Sequence, residues 1–401
     1  MFRMKKVKWT TTKIIVAGYL LVIAVGTLLL MLPIANRQGT ATPFMDAWFT
    51  ATSATCVTGL VTNDTYSFWS NFGQGVILVL IQIGGIGFMT LAISALTFTG
   101  KKIGLSQRLL MKESVAAPQV GGIVRMSKFV LSGTLIFEVS GAVLLAFYFI
   151  PRLGVGKGIY YSVFHAISAF CNAGIDLMGY YDPSSSLITA ADSYIVGITI
   201  SLLIIIGGIG FLVWADIKKW KWHFKYYRLH SKVVLTASLI LVLLGTILIL
   251  IFEWGKPSME GKNLGEQILS AFFQSVTPRT AGFNTMDLNQ LTDSSQMLMI
   301  CFMFIGGSPG STAGGIKTTT MMILILTIWT EFRKRKDVEF FKRRVENETI
   351  RHASCILILY GILSIGCAML ISTIEGLGMK EVLFEVVSAL CTVGLSLGIT
   401  S

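Results

Sequence analysis

The chain has 401 residues, of which 53% are hydrophobic and 13% charged, and its net charge is +12; the mean hydropathy is +0.70. So few charges cannot cover a soluble globular surface of this size, which excludes a soluble enzyme or module and points to a polytopic membrane protein. The positive charge reads as a topology signal and a cytosolic surface in preference to nucleic-acid binding, and no nucleic-acid partner is expected.

Apolar runs long enough to cross a bilayer, about 20 residues, occupy 14–33, 75–99, 129–150, 194–214, 233–252, 297–329 and 355–374, which predicts seven spans. The first is too long for a signal peptide and has no small-residue cleavage site after it. Between spans one pattern returns four times: DAWFTATSATCVTGL at 46–60, YSVFHAISAFCNAGI at 161–175, LSAFFQSVTPRTAGF at 269–283 and EVLFEVVSALCTVGL at 381–395. In each, Phe stands fourth (Phe49, Phe164, Phe272, Phe384) and Gly fourteenth (Gly59, Gly174, Gly282, Gly394). The glycines lie 115, 108 and 112 residues apart, a module of several helices.

The first unit, 1–113, reads as a crossing run at 14–32, a break at Pro33, a half-length helix at 44–54, a glycine-bearing loop and a returning span at 75–99. A helix of about 11 residues cannot span at about 1.5 Å per residue, so it must be re-entrant. Non-helical backbone at membrane depth survives only where it is buried in protein or lines a water-filled cavity. Four such loops meeting on one axis would enclose a pore, with backbone carbonyls able to replace a cation's hydration shell. The small pairs Thr58-Gly59, Ala173-Gly174, Ala281-Gly282 and Val393-Gly394 let the backbone turn its oxygens inward, and helix C-termini add negative partial charge. Tight turning or close helix packing is the plainer use of the same glycines.

The second unit, 114–230, follows the same plan, and with the first it shares a GGIG motif: Gly84-Gly85-x-Gly87 and Gly207-Gly208-x-Gly210. Both lie inside apolar spans with no preceding strand, so close helix packing is preferred over a dinucleotide turn. Asp176 beyond the second motif and Asp64 near the first can concentrate cations at the mouth or stand as plain exposed carboxylates. Asn172 can add a hydrogen bond beside the turn.

The third unit, 231–349, differs in its returning span, where GGSPGSTAGGIK at 306–317 puts five glycines, a proline and three hydroxyls into an apolar segment. No regular helix survives that. Ile316 separates Gly315 from Lys317, so the stretch fails as a phosphate loop. It reads as unwound backbone beside the pore, or else as a hinge between packed helices. As an occluding loop, it would use Ser308, Ser311 and Thr312 to hydrogen-bond the unwound carbonyls. Arg279 ends the third half-helix, where it can bind the terminal carbonyls, the favoured use, or tune cation entry.

The fourth unit, 350–401, stops shortly after Gly394, without the second span of the others, and the expected reason is that the chain is cut short. Basic clusters at 3–13, 101–128, 218–232 and 333–351 hold most of the 33 Lys and Arg; by their retention on the inner side the N-terminus is expected in the cytoplasm and the four motifs outside. Cys56, Cys171, Cys301, Cys355, Cys367 and Cys391 make no C-x-x-C pair, and His165, His223, His230 and His352 are scattered. Zinc and a disulfide framework are therefore unsupported, as is a membrane enzyme, because no catalytic constellation is present.

ATCVTGL, AFCNAGI, TPRTAGF and LCTVGL, with GGIGFMT, GGIGF and GSPGSTAGGIK, are similar to the filters and second spans of the Trk/Ktr/HKT superfamily, and the chain resembles its KtrB-type branch over nearly its whole length. The fold implied is an all-α polytopic membrane protein with four pseudo-repeated span, pore-helix, filter and span units around a central pore. The resemblance implies potassium uptake across a bacterial-type plasma membrane, with sodium as a candidate co-ion. Its ion-binding filter would comprise Cys56, Val57, Thr58 and Gly59; Cys171, Asn172, Ala173 and Gly174; Thr280, Ala281 and Gly282; and Thr392, Val393 and Gly394. Its gate would be Gly306, Gly307, Ser308, Gly310, Ser311, Thr312, Gly314, Gly315 and Lys317. No tightly bound cofactor is implied: nucleotide would sit on a KtrA-type cytosolic ring beneath a homodimer, with membrane lipids as the other partner of the basic loops. A secondary cation transporter with discontinuous helices is the alternative, but it predicts inverted repeats, whereas these four share one orientation.

Overall fold

The computed structural model describes residues 10–87, 90–91, 104, 109–110, 112, 122–182, 185–341 and 343–400. The basic residues at 3–8, at 101–108 and at 342, and the end of the run at 75–99, lie outside them.

Helices α1 (Thr11–Leu30), α2 (Phe44–Thr55) and α3 (Asn71–Ile86) form the first unit. α1 stops short of Pro33, which opens a 3-10 turn, and α2 is half-length as its sequence predicts. Helix α3 starts where the Ser70 side chain accepts the Gly73 N–H, filling one orphan donor of the first turn. The second unit consists of α4 (Ile123–Leu153), α5 (Val155–Cys171), α6 (Tyr194–Ile209) and α7 (Phe211–Trp220). The third has α8 (Leu229–Glu253), α9 (Leu264–Val276), α10 (Asp293–Phe304) and α11 (Thr318–Phe332). Asn263 and Glu266 make a reciprocal capping box at the start of α9. The fourth has α12 (Asn347–Glu375) and α13 (Met379–Leu390).

The count of seven continuous spans needs correction. Among the described residues only α1, α4, α8 and α12 are each long and apolar enough to cross a membrane. The run at 194–214 is not one helix: α6 and α7 meet at Gly210, at a bend of 94°. Gly210 has φ 97°, a conformation that a side chain would strain. The run at 297–329 is two helices separated by loop 305–317, as its glycines predict. A small hairpin pairs Glu339–Phe340 (β1) with Arg343–Arg344 (β2) inside the last basic cluster, an element that periodicity did not predict.

Within units, α1 packs on α2, α4 on α5, α8 on α9 and α12 on α13; α3 on α5, α6 on α9 and α10 on α13 join the units. The core therefore gathers around the half-length helices, where Phe164, Phe170 and Phe384 are fully buried, and the long helices turn Leu20, Leu28, Ile136 and Ile362 outward. Lipid removes the hydrophobic drive between helices, so fit decides association. At Gly26 a Cβ would lie 2.7 Å from a Leu80 methyl, which lets α1 and α3 close on each other.

Candidate functional site

The four motif glycines form a ring. Their φ angles are 91° at Gly59, 66° at Gly174, 81° at Gly282 and 91° at Gly394. Two residues before each, Val57, Asn172, Thr280 and Thr392 are left-handed as well, with φ between 54° and 67°. The residue between has negative φ, so handedness alternates along each turn. The carbonyl of that middle residue lies against the glycine of another unit. A Cβ on Gly59 would stand 2.4 Å from the Ala173 oxygen, on Gly174 2.5 Å from Ala281, on Gly282 2.6 Å from Val393 and on Gly394 2.4 Å from Thr58. No side chain larger than hydrogen fits at any of the four. Carbonyl dipoles crowded in this way can take the place of water around a bare cation.

Each turn is tied to the helix below it. Gly59 N–H donates to Ser53 Oγ and Gly394 N–H to Ser388 Oγ, both at 3.1 Å. Ser168 Oγ donates to the Ile175 carbonyl and Thr277 Oγ1 to the Phe283 carbonyl, both at 2.6 Å. In the third unit the hydroxyl thus stands one residue nearer the glycine. Beside it Phe273 is buried and Phe272 only partly so, as Phe49 is in the first unit. Nine residues before the glycine, His165 Nε2 accepts the Leu177 N–H at 3.4 Å, and the buried Glu385 carboxylate accepts Leu397 N–H at 3.1 Å, Ile399 N–H at 3.3 Å and the Ser396 and Thr400 hydroxyls. Sequence reading missed both; the signal was a polar residue on an otherwise apolar helix at one repeat position.

The GGIG glycines do allow close packing, with Gly84 and Gly207 set against the C-terminal ends of the half-length helices. A Cβ on Gly84 would lie 2.1 Å from the Thr55 carbonyl oxygen, and on Gly207 2.1 Å from that of Phe170. The third glycine of each motif, Gly87 or Gly210, has positive φ and ends its helix.

Over the ring opens a cavity of about 180 Å³ lined by Gly59, Gly174, Gly282 and Gly394 with Asp64, Asp176 and Asp287. Asp176 Oδ1 accepts the Met178 N–H at 2.8 Å. Burial, with a smaller push from the Asp64 charge, raises its pKa to about 6. Asp64 caps the turn at Thr65–Phe68 by accepting the Ser67 N–H at 2.7 Å.

Loop 305–317 lies against the second and fourth units. Ser308 N–H donates to Gly208 O at 3.0 Å, Thr312 N–H to Gly207 O at 3.3 Å, and Gly310 O accepts Phe211 N–H at 2.8 Å. Thr312 Oγ1 donates to the Phe170 carbonyl at 3.1 Å, at the last turn of α5. A Cβ on Gly314 would lie 1.9 Å from Thr392 Oγ1. None of the three hydroxyls expected to bind unwound carbonyls of the loop does so: Thr312 reaches the helical carbonyl of Phe170 instead. Ser308 Oγ pairs with Thr318 Oγ1 at 3.0 Å, and Ser311 Oγ accepts the Ala313 N–H at 3.3 Å. Lys317 Nζ reaches the Ala313 carbonyl at 2.7 Å and so closes the loop on itself. Gly306 N–H donates to Ile316 O at 2.9 Å across the loop's neck.

Two further expectations change. Arg279 is buried, and its Nη2 donates to Ser238 Oγ on α8 at 3.0 Å, not to the terminal carbonyls of α9. The Asn172 amide is buried and neither of its polar atoms has a protein partner, so it makes no bond beside the turn. Cys171 and Cys391 are buried at the helix ends below the ring while Cys56 is exposed, and all are free thiols. Among the described residues no three His, Cys, Asp or Glu side chains gather as a metal site.

Comparison with known proteins gives a consistent result. Residues 5–401 match the family described as TrkH, cation transport protein. The chain is 40% identical over 392 residues to the potassium/sodium uptake protein NtpJ of Enterococcus hirae, covering 97% of this chain and 86% of that one. It is 36% identical over 398 residues to the Ktr system potassium uptake protein B of Bacillus subtilis, covering 99% and 87%. The crystal structure of the potassium transporter TrkH from Vibrio parahaemolyticus superposes with a TM-score of 0.73 over 100% of this chain and 80% of that one; at 19% identity the likeness speaks for the fold alone.

Proposed function

This chain belongs to the TrkH family of cation transport proteins, and on that premise we propose that it takes up potassium through the axis of the glycine ring, which acts as the selectivity filter. It is a multi-pass membrane transporter and not an enzyme. The observation that carries the filter reading is the cyclic contact of Gly59, Gly174, Gly282 and Gly394 with the carbonyls of Ala173, Ala281, Val393 and Thr58. Four unlike sequences adopt one backbone geometry there, and packing alone would not require that. The half-length helices end at the ring and lend it negative potential, and the three aspartates at the mouth raise the local cation concentration.

Loop 305–317 is the gate in this reading. Its contacts to the carbonyl end of α5 and to Thr392 support a position beside two of the four turns. The four units, 1–113, 114–230, 231–349 and 350–401, are the modules of the pore. A homodimer over a KtrA-type nucleotide-binding ring, with the basic clusters and N-terminus in the cytoplasm, completes the proposal; sodium is the candidate co-ion, as in the name of the Enterococcus hirae relative.

The test is Gly282→Ser. Its Cβ would meet the Val393 oxygen in a backbone conformation that already strains any side chain, at a cost of about 1–3 kcal/mol. We expect the preference for potassium over sodium in uptake assays to fall by about tenfold or more; unchanged affinity and selectivity would remove the third unit from the filter.

A further inference from the structure

On the same side as the vestibule, but outside it, a second cavity of about 490 Å³ lies where the first two units meet; its walls include Arg37, Asn71, Gln74, Lys157, Tyr160 and Tyr161. No carboxylate lines it, and among the described residues neither Arg37 nor Lys157 makes an ion pair. Both cations are nonetheless held in place. The Arg37 guanidinium lies 4.1 Å over the Tyr66 ring and its Nε donates to the Trp69 carbonyl at 3.2 Å, while Lys157 Nζ stands 5.2 Å over the Tyr180 ring.

Helix amides and one hydroxyl add to the two charges. Gly156 and Lys157 belong to the first turn of α5, whose N-cap Gly154 provides no side-chain bond, so first-turn amides are left without intrahelical acceptors at the positive end of the helix. Tyr160 gives its hydroxyl hydrogen to Gln74 Oε1 at 3.0 Å and so braces the wall without offering a donor of its own. Tyr161 also lines the cavity; it is only 2% exposed and its hydroxyl has no protein partner. This cup of fixed positive charge suits a phosphate group.

Asn71 also lines a second cavity, an apolar groove of about 680 Å³ between α1 and α3 walled by Leu21, Val25, Leu29, Phe72 and Val79. Gly75 lies in the same groove, and a Cβ there would meet nothing within 4 Å. A cationic cup at the membrane interface, continued along the span by an apolar groove, is complementary to an amphiphile with an anionic head. We propose that this is a specific site for an anionic phospholipid, with the phosphodiester between Arg37, Lys157 and the start of α5 and one acyl chain between α1 and α3. A zwitterionic headgroup is disfavoured because no carboxylate faces its ammonium.

Native mass spectrometry of the intact protein, purified in mild detergent, should find one anionic phospholipid per chain that outlasts the bulk lipid. Delipidated protein should then rise in Tm with short-chain phosphatidylglycerol but not with phosphatidylcholine or inorganic phosphate. The pair Arg37→Gln with Lys157→Gln should weaken phosphatidylglycerol binding about tenfold or more. Gly75→Leu should fill the groove without disturbing the fold and weaken it comparably. Equal response to phosphatidylcholine would mean ordinary boundary lipid, a matching response to inorganic phosphate would mean an anion site without a lipid, and unchanged binding in both variants would place the lipid elsewhere. Each of these overturns the proposal.

Discussion

The ring turns and loop 305–317 both depend on glycine and both leave the helix inside the protein, yet they are held in opposite ways. Each turn is anchored inside its own unit, by Ser53, Ser168, Thr277 or Ser388 on the helix directly below it. The loop closes its own neck through Gly306, Ile316 and Lys317 but is fastened sideways to another unit, through Gly207, Gly208 and Phe170. Anchoring within a unit makes a turn as rigid as its helix. Anchoring between units would let a small relative movement of the second and third units release the loop, as the proposed gate requires and the proposed filter does not.

The largest expected effect tests that contrast directly. Removing 311–314 takes away the Thr312 bonds and the Gly314 contact with Thr392 while leaving all four turns and their serine or threonine ties in place. Potassium flux per inserted molecule should rise by about tenfold or more with selectivity retained. A fall in flux with the protein still inserted would make the loop a packing hinge.

A second change should strike the ring and spare the loop. Glu385 holds the chain beyond the fourth turn through four hydrogen-bond donors. In Glu385→Gln the amide would keep one acceptor and face these donors with donors of its own, a loss of about 1–3 kcal/mol. The apparent affinity for potassium should fall about tenfold at little cost in maximal rate. A drop in maximal rate with affinity intact would mean that Glu385 serves the outer loop alone and has no hold on the filter.

The repeat and the glycine-rich interruption were legible in the sequence because backbone geometry leaves chemical marks: only glycine tolerates the ring contacts, and only a broken helix tolerates GGSPGSTAGGIK. What escaped depends on which neighbour a side chain meets. Nothing in the string announces that Gly210 carries a bend of 94° in a run that reads as one apolar span. Phe272 and Phe273 adjoin, and a shift of one residue in the helix register decides which is buried. Arg279 turns to Ser238 on α8, 41 residues upstream, a partner that no local spacing names. The hairpin at 339–344 sits in a basic run that composition alone assigns to a surface loop.

A smaller effect probes one fastening of the loop. Thr312→Val deletes the hydroxyl bond to Phe170 O and leaves the carbonyl end of α5 with one partner fewer, worth about 1 kcal/mol. If the loop blocks conduction, flux should rise about fivefold at saturating potassium. No change would show that its backbone bonds to Gly207 and Gly208 suffice to hold it.

The smallest expected effect concerns the mouth, where Asp176 titrates beside the ring and away from the loop. Burial and the Asp64 charge raise the pKa of Asp176 to about 6, so the vestibule carries this negative charge at about pH 7 and loses it at about pH 5. One charge acting across a wet cavity is worth less than about 1 kcal/mol, so apparent potassium affinity should fall about threefold over that interval with no change in maximal rate. In Asp176→Asn the affinity should sit at the low-pH value throughout, and its pH dependence should flatten. The stability sign is independent of transport. A carboxyl whose folded pKa is raised favours the folded state below its ordinary titration range, and that contribution is lost as pH rises through about 6. Asp176→Asn should therefore melt above the parent at about pH 8 and converge with it at about pH 4. An unflattened affinity profile together with the expected melting shift would place Asp176 in the fold but outside the ion path.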